Sequence, residues 1–510
     1  MRKLICLVSL ITIVACESNK KIETKEMPLN TEYQEPHRLQ FHFSPKEKWM
    51  NDPNGMVYHN GEYHLFFQYF PDSTVWGPMH WGHAVSKDLL HWAHLPIALY
   101  PDNLGYIFSG SAVLDKNNTS GFGSLANPPL VAIFTYHDIT GERSRSNTFQ
   151  TQAIAYSVDN GRTWSKYVGN PVIMNPGIKD FRDPKVFWLN SEDKWIMALA
   201  VKDHIRFYSS ENLKDWQHES DFGVTLGAHG GVWECPDLFR LEDQWVLLVS
   251  INPGGPNGGS ATQYFVGDFD GKTFTPQDEQ TRWLDYGRDN YAGVTWSNIP
   301  DEDGRKIFIG WMSNWDYANV VPTEKWRSAM TLPRALSLTK RKDGYLVKSS
   351  IVREVENLYG ASQKISTTND KVIDINPAGW TLFDLILELT SESPSTPAFE
   401  IQLSNEMGDT LKLGYNSDEK QFYINRDQAG KNDFGENFKG LQTAPLSING
   451  KTASVRLLVD AGSVEIFINE LAMTSLFFPQ QPMSKAQLII ETTEPYHVNG
   501  DIYKMKSIWK

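Results

Sequence analysis

Residues 49–55 read Trp-Met-Asn-Asp-Pro-Asn-Gly and lead directly into a run of alternating apolar residues that ends at residue 67. The pairs Asp-Pro and Asn-Gly within this stretch both favour turns. A second Asn-Gly pair at residues 60–61 predicts a two-residue hairpin. The stretch therefore predicts a carboxylate, Asp52, at the entry to a buried strand and beside two amide side chains.

This layout recurs along the first two thirds of the chain. Asp183-Pro184 and Glu234-Cys235-Pro236 each precede two apolar runs separated by a polar turn. Looser copies start near residues 108 and 289, so five units begin near residues 52, 108, 183, 234 and 289. A second signature, Ser-x-Asp or Ser-x-Glu followed by Trp, ends three of the units and predicts a tight turn between their last two strands.

Units of about 40–50 residues with four strands each are typical of a β-propeller, and helical patterns are almost missing from residues 40–340. A large β-sandwich with chance internal similarity is the alternative. In a propeller the first strand of each blade lies nearest the axis. Asp52, Asp183 and Glu234 precede equivalent inner strands, so we expect the three carboxylates to meet at one end of the channel.

Such a cluster of like charges is costly and indicates acid/base chemistry or a metal site. Two carboxylates that flank a scissile bond perform glycoside hydrolysis. Amides beside Asp52 favour its ionised form, whereas Glu234 stands in an apolar context that favours a proton. Asp183 follows Arg182, which we expect to pair with it and keep it charged.

A metal site is the competing interpretation. No segment has the dense Asp/Asn spacing of a calcium loop. His80 and His83, like His91 and His94, have suggestive spacings, but no Cys or Glu completes a ligand set. We therefore expect neither a catalytic metal nor another cofactor.

The N-terminus predicts export. Residues 1–15 combine Arg2 and Lys3 with an apolar run that is too short to span a bilayer. Small residues before Cys16, then a polar stretch, are typical of a lipoprotein signal, with Cys16 lipidated and residues 16–36 forming a flexible tether. An ordinary secretory signal is the alternative. Loss of the leader changes the net charge from −13 to −15, which disfavours nucleic-acid binding.

The last third of the chain has a different pattern. Residues 351–358 predict a short helical linker, which we place within residues 346–360. Period-two alternation over residues 361–510 then predicts a two-sheet β-sandwich. Once the leader is removed, Cys235 and the proposed anchor Cys16 are the remaining cysteines, so no structural disulfide is expected.

The chain resembles glycoside hydrolase family 32, the β-fructofuranosidases that include invertases, inulinases and levanases. The resemblance covers residues 36–510 and depends on the motifs at residues 49–55, 181–187 and 233–238, with support from 108–111 and 310–315. It implies an all-β fold, a five-bladed β-propeller (residues 37–345) followed by a C-terminal β-sandwich. It also implies a retaining reaction at fructose C2, with Asp52 as nucleophile, Asp183 as transition-state stabiliser and Glu234 as acid/base.

The resemblance further implies a set of substrate contacts. Residues that match the family's fructose-holding positions are Asn51, Gln68, Trp76, Phe108, Ser109 and Arg182. Further contacts are expected from Trp49, Trp81, Asp289 and Trp315, for which structural roles remain open.

We expect an exported, lipid-anchored enzyme that acts on levan or inulin, with sucrose left open as a further substrate and with no obligate protein partner. The sequence Asn51-Asp52-Pro53 favours exo-action, since endo-inulinases of the family tend to read Asn-Glu-Pro. Endo-levanase action stays open, as do a non-catalytic fructan-binding lipoprotein and an inverting enzyme that acts on arabinan. The sequence leaves both a periplasmic and a surface location possible.

Overall fold

The computed structural model describes residues 32–342 and 344–509, which form two all-β domains. The predicted leader, Cys16 and residues 17–31 of the tether lie outside the described residues. Within the described part, no helix is long and apolar enough to cross a bilayer.

Five sheets make up the first domain. Their strands, in chain order, are β1 (Lys48–His59), β2 (Glu62–Phe70), β3 (His80–Ser86), β4 (Trp92–Leu99), β5 (Tyr106–Leu114), β6 (Leu130–His137), β7 (Gln150–Ser157), β8 (Ser165–Lys166), β9 (Phe181–Leu189), β10 (Lys194–Val201), β11 (His204–Ser210), β12 (Gln217–Phe222), β13 (Val232–Leu241), β14 (Gln244–Asn252), β15 (Ala261–Phe269), β16 (Phe274–Pro276), β17 (Arg282–Trp283), β18 (Tyr291–Thr295), β19 (Lys306–Met312), β20 (Trp326–Arg327), β21 (Ala329–Met330), β22 (Arg334–Arg341) and β23 (Gly344–Ile351). A short helix, α1 (Ile139–Arg143), follows β6, and a 3₁₀ turn covers Ala318–Val320.

The five sheets are arranged as the blades of a propeller. Four of them run outwards in the orders β1-β2-β3-β4, β5-β6-β7-β8, β9-β10-β11-β12 and β13-β14-β15-β16, and the fifth runs β18-β19-β22-β23. The first strands contact one another in a closed ring, β1 to β5 to β9 to β13 to β18 and back to β1. This confirms the predicted five-bladed propeller and excludes a single large sandwich.

The turn signatures have clear physical roles. Asn60 and Gly61 both have positive φ in the β1–β2 turn, as a two-residue hairpin requires. In the outer turns, the indole N–H of Trp92 donates to the carbonyl of Leu89, which has φ +67°. The equivalent residues Trp164 and Trp216 make the same contact in their own blades, so the recurring Trp closes each outer turn.

The second domain is a sandwich of two six-stranded sheets. Its strands are β24 (Tyr359–Thr368), β25 (Val372–Asp374), β26 (Phe383–Ser391), β27 (Ala398–Ser404), β28 (Thr410–Asn416), β29 (Gln421–Gln428), β30 (Gln442–Pro445), β31 (Thr452–Val459), β32 (Ser463–Ile468), β33 (Leu471–Leu476), β34 (Lys485–Glu491) and β35 (Tyr496–Met505), with a 3₁₀ turn at Glu436–Phe438. The sheet orders are β24-β35-β26-β31-β32-β33 and β25-β34-β27-β28-β29-β30. Their inward faces enclose one apolar core, so the predicted sandwich is confirmed.

The junction between the domains is shorter than the range expected for the linker. Strand β23 pairs with β22 in the fifth blade and continues to Ile351, inside residues 346–360. A 3₁₀ turn at Arg353–Leu358 then connects to β24, in agreement with the predicted helical character. The end of the expected tether is also ordered, because Tyr33 stacks on Trp509 with ring centroids 3.9 Å apart.

Buried charges join the two domains. Arg334 of the fifth blade donates to Asp285 and to Glu465 of the sandwich, and its side chain is fully buried. His42 lies between Asp460 and Glu465 at 2.7 and 2.9 Å. Burial alone lowers the pKa of His42, but the two carboxylates overcome this and raise it to about 9. The domains are therefore fixed to each other by paired ions that are shielded from water.

A second buried pair provides a test of this interface. Arg426 of the sandwich donates to Asp289 at 2.7 Å, with both side chains fully buried. We expect Arg426→Met to lower the free energy of unfolding by about 3–5 kcal/mol, because it leaves the Asp289 charge buried and unpaired. Urea unfolding followed by fluorescence measures the change.

The matched control is Arg341→Met. Arg341 pairs with Glu470 across the same two domains at 2.9 Å, but both side chains are substantially exposed. We expect this variant to lower the free energy of unfolding by less than about 1 kcal/mol, as for other surface ion pairs. Equal losses in the two variants would contradict the assigned role of the buried pair.

Candidate active site

Each of the five inner strands contributes a side chain to one mouth of the propeller channel. These residues are Asp52 (β1), Ser109 (β5), Asp183 (β9), Glu234 (β13) and Tyr291 (β18). The first four line a cavity of about 230 Å³, and Tyr291 donates its hydroxyl to Glu234. The three acids therefore converge as the repeat pattern predicted.

A bulge in each inner strand aims these side chains into the mouth. The pairing register shifts at this level in all five blades. Asp52, Asp183, Cys235 and Ala292 all have positive φ there, a backbone conformation that costs energy in non-glycine residues. A bulge adds a residue and redirects the strand, and bulges occur frequently beside active sites.

The positions of the acids correct one expectation. Asp52, Asp183 and Glu234 are expected just before their strands, yet β1 begins at Lys48, β9 at Phe181 and β13 at Val232, so all three acids lie within them. The physical reason is the proline that follows each acid. Proline lacks an N–H and is tolerated inside a sheet at a bulge. The Asp-Pro pairs therefore mark bulges and not turns.

Asp52 lies at the floor of the cavity. Its Oδ2 accepts a hydrogen bond from Ser109 at 3.2 Å, and its Oδ1 is shielded from solvent without a hydrogen-bond partner in the described part of the chain. Burial, followed by the Glu234 charge, raises the pKa of Asp52 to about 7. This differs from the expectation that neighbouring amides keep Asp52 ionised, because burial outweighs their effect.

Arg182 does not form the expected pair with Asp183. It donates to Glu234 Oε1 from Nε and Nη2, at 3.1 and 2.9 Å, and to Asp180 at 2.8 Å. Adjacent residues of a strand point to opposite sides, so closeness in sequence does not make them partners. Asp183 instead accepts the backbone N–H of Cys235 at 3.0 Å.

Burial raises the pKa of Asp183 to about 6. The Arg182 charge opposes this shift, while Glu234 adds to it. Cys235 lies between two of the acids, with its Sγ 3.8 Å from Asp52 Oδ2 and 3.7 Å from Asp183 Oδ2. Burial and the carboxylates raise the pKa of the Cys235 thiol, so it stays protonated and can donate its one hydrogen to either acid.

Most of the expected substrate contacts reach the cavity. Asn51, Gln68, Trp76, Phe108, Ser109, Arg182 and Trp315 line it together with the acids. The amide Nε2 of Gln68 is buried and has no partner among the described residues, so it is a free donor. The stack of Phe108 on His137, with centroids 4.2 Å apart, builds one wall.

Three expected contacts lie elsewhere. Trp49 is fully buried beneath the cavity, where it stacks on Trp315 and donates to Asn51 Oδ1 at 2.7 Å. Trp81 is a core residue. Asp289 is fully buried at the domain interface, where Tyr317 and Arg426 hold its two oxygens. The expectation that Asp289 contacts substrate is therefore wrong, because its oxygens are already bound.

Several residues of the site were not identified from the sequence. The cavity is also lined by His137, Glu142, Phe149, Gln150 and Asp180. Tyr291 lies two residues after the start of the fifth unit, and its place at the fifth bulge is equivalent to that of the acids. That equivalence was the signal that could have revealed it. In the described part of the chain, no group of three or more His, Cys, Asp or Glu side chains is arranged to hold a metal.

Two family models match the chain. "Glycosyl hydrolases family 32 N-terminal domain" matches residues 42–350, and "Glycosyl hydrolases family 32 C terminal" matches residues 354–504. A levanase of Bacillus subtilis is 47% identical over 93% of this chain and 70% of that protein. An extracellular exo-inulinase of Aspergillus niger is 38% identical over 94% of this chain and 96% of that protein.

Solved structures agree in fold. The exo-inulinase of Aspergillus awamori superposes with a TM-score of 0.85 at 36% identity, covering 94% of this chain and all of that one. A fructofuranosidase of Schwanniomyces occidentalis in complex with fructose gives a TM-score of 0.83 at 35% identity, with 94% and 100% coverage.

The buried charge of Asp52 predicts a stability cost that depends on pH. The folded pKa of about 7 lies above the ordinary value of 3.8, so the folded protein binds more protons than the unfolded chain between these values. Stability is therefore lost as pH rises from about 4 to 7. We expect Asp52→Asn to stabilise the protein by about 2–4 kcal/mol at pH 8, and to have no such effect below pH 4. Thermal unfolding across this pH range measures the difference.

Asp115→Asn is the control for this experiment. Asp115 is fully buried outside the site and accepts four hydrogen bonds from Thr119 and Ser120. We expect this variant to be destabilised at pH 8, because its donors lose a charged acceptor. If Asp52→Asn were also destabilised at pH 8, the assigned electrostatic cost would be refuted.

Proposed function

Because this chain belongs to glycosyl hydrolase family 32, we propose that it is a retaining exo-β-fructosidase that releases terminal fructose from levan or inulin. Its family makes it a glycoside hydrolase. The observation that carries the proposal is a small pocket where Asp52, Asp183 and Glu234 meet from three separate inner strands. The related levanase and exo-inulinase support fructans as the substrate class.

The proposed first step transfers the fructosyl unit to the protein. Asp52 in its ionised form attacks C2 of the terminal fructose, and the C2–O bond to the rest of the chain breaks. Glu234 gives its proton to the departing oxygen, so the shortened chain leaves as an alcohol. Donors from Ser109 and Cys235 lie beside Asp52 Oδ2 and favour its ionised form.

The second step returns Asp52 to its free state. Glu234, now ionised, takes a proton from water, and the water oxygen attacks C2 while the ester bond to Asp52 breaks. Two inversions at C2 give net retention. Arg182 and Tyr291 donate to different oxygens of Glu234, which fixes the carboxyl group and stabilises the charge that it carries between the two steps.

The remaining polar groups suit the binding of one fructose unit. Asp183 lies beside the other two acids, where its charge can balance the positive charge that develops on the sugar ring. The free donor of Gln68 and the amide of Asn51 face the same cavity and can bind sugar hydroxyls. Trp76 and Phe108, which meet edge to face, supply an aromatic wall for the apolar part of the ring.

Pocket size favours exo-action over endo-action. A volume of about 230 Å³ is below the range of ~300–1,000 Å³ that is typical of sites for larger ligands. A pocket of this size accepts a chain end, whereas an endo-enzyme needs an open cleft on both sides of the bond. Relatives named exo-inulinase agree with this choice.

Product analysis on levan, inulin and sucrose tests the proposal. We expect fructose alone from the earliest time points, with the relative rates giving the preference of linkage. Glu234→Gln removes the proton donor and should lower kcat by about 10²–10⁴-fold. Tyr291→Phe keeps Glu234 but removes one hydrogen bond to it, so kcat should fall less in this variant than in Glu234→Gln.

Other outcomes distinguish the alternatives. Early long oligosaccharides would indicate an endo-enzyme, and wild-type activity in Asp52→Asn would contradict its role as nucleophile. NMR of the first product reports the configuration at C2, and inversion there would contradict the double displacement. A wild-type protein that releases nothing from any fructan would favour a binding protein or an arabinan enzyme.

We also propose that the protein acts outside the cytoplasm and is held at a membrane by lipid on Cys16. The extracellular names of the related exo-inulinases support export, and the small residues before Cys16 support lipidation. We expect Cys16→Ser to move the protein from the membrane fraction to the soluble fraction on expression in its host, with unchanged kcat. A membrane-bound Cys16→Ser protein would contradict the anchor.

A further inference from the structure

A large recess opens at the opposite end of the propeller from the acids. Its volume is about 850 Å³, and its lining comes from the later residues of the inner strands, such as Trp188 at the end of β9 and Thr295 at the end of β18. Trp188 follows Asp183 by five residues of extended chain, a separation of roughly 17 Å. The recess is therefore a different place from the active-site pocket.

A polar cluster separates the two ends of the channel. Lys185 Nζ donates to Asp237 Oδ2 at 3.1 Å and to the Thr295 carbonyl at 2.7 Å, while Thr295 N–H donates to the same Asp237 oxygen at 2.6 Å. Asp237 lines the recess and is fully buried, yet its Oδ1 has no partner within the described residues.

The recess continues into a second hollow. This hollow has a volume of about 500 Å³ and shares Leu114, Lys116, Asn298 and Asp301 with the first. Together the two form one elongated depression, which we call the distal groove. An elongated shape suits a segment of polymer better than it suits a single small molecule.

The lining of the distal groove combines aromatic faces with amides. Trp188 and Trp245 are half-buried, and neither indole N–H has a hydrogen-bond partner in the part of the chain that is described. The exposed amides of Asn117 and Asn190 lie at the rim. Flat rings with a free N–H and nearby amides are suited to the apolar faces and hydroxyls of sugars.

The charges of the groove are mixed. Lys116 and Lys306 lie in the same lining as Asp115 and Asp301, so neither sign dominates. A strongly anionic polymer such as nucleic acid would need a basic surface. The groove therefore favours a neutral chain rich in hydroxyl groups.

We propose that the distal groove is a non-catalytic binding site for a segment of fructan polysaccharide, an inference that rests on the proposed function for its choice of polymer. The site holds the polymer while the active-site pocket, at the other end of the propeller, cleaves a chain end. Holding one part of a polymer raises the effective concentration of its other chain ends. The groove therefore lowers KM for long substrates and leaves short ones unaffected.

The test compares the double variant Trp188→Ala/Trp245→Ala with Trp283→Ala. Trp283 is also half-buried with no partner for its indole within the described chain, but it lies outside the groove. The Trp188 ring packs edge to face on Trp195 with the ring centroids 5.0 Å apart, so loss of the Trp188 ring can disturb folding. Asn190→Arg, a change at an exposed rim position, provides a second variant that blocks the groove without removing packed atoms.

Two measurements separate this inference from the proposed function. The first is kcat and KM on a fructan trisaccharide and on levan and inulin. We expect both groove variants to match the wild type on the trisaccharide and to show a KM for polymer at least threefold higher, while Trp283→Ala matches the wild type on both. If KM for both polymers were unchanged in Asn190→Arg and in a folded double variant, the proposal that the groove binds fructan would be contradicted.

The second measurement is migration through native gels that contain levan or inulin. It uses proteins that carry Glu234→Gln in addition, so that retention does not depend on hydrolysis. We expect the groove substitutions to reduce retention and Trp283→Ala to leave it intact. Equal retention of all these proteins would contradict the proposal that the groove binds fructan. Failure of the wild type to cleave the trisaccharide would refute the proposed function, and the gel result would then test the groove by itself.

Discussion

Repulsion among three carboxyl groups is the constraint on which the proposed active site of this molecule depends. Asp52, Asp183 and Glu234 approach one another in a partly buried mouth, where burial and like charge raise the pKa of the first two. The chain offsets this cost only in part. Arg182 and Tyr291 bind Glu234, and a backbone N–H binds Asp183, but Asp52 Oδ1 is left unpartnered within the described chain. The surrounding sheets must therefore supply the stability that offsets the remaining electrostatic cost.

The ring of inner strands meets that cost because none of its members can move alone. Each inner strand is paired with the second strand of its own blade and contacts the inner strands of the neighbouring blades, and each carries its bulge at the same level. Proline follows Asp52, Asp183 and Cys235, so the bulge forms where no ladder hydrogen bond can be donated. The same backbone feature therefore interrupts the pairing and aims the acid. Fivefold repetition places these acids at a common mouth without any direct link in sequence.

The sequence predicted what repetition controls and failed where three-dimensional packing decides. Convergence of Asp52, Asp183 and Glu234 followed from equivalent positions in repeats. The pairing of Arg182 did not, because the direction of a side chain at a bulge is not readable from its neighbours. The pKa of Asp52 depends on burial, which local composition does not contain. Asp289 was misassigned because one of its partners, Arg426, lies more than a hundred residues away in another domain.

The misassigned Asp289 also shows what the sandwich contributes to the site. Residues 285–289 run beside β33 of the sandwich, with Tyr286 N–H donating to Ala472 and Asp289 N–H donating to Thr474. Asp289 Oδ2 in turn accepts the N–H of Leu476. This segment ends two residues before Tyr291, whose hydroxyl binds Glu234. The sandwich therefore fixes the start of the fifth inner strand, and through that strand it positions the group that holds the proposed acid/base.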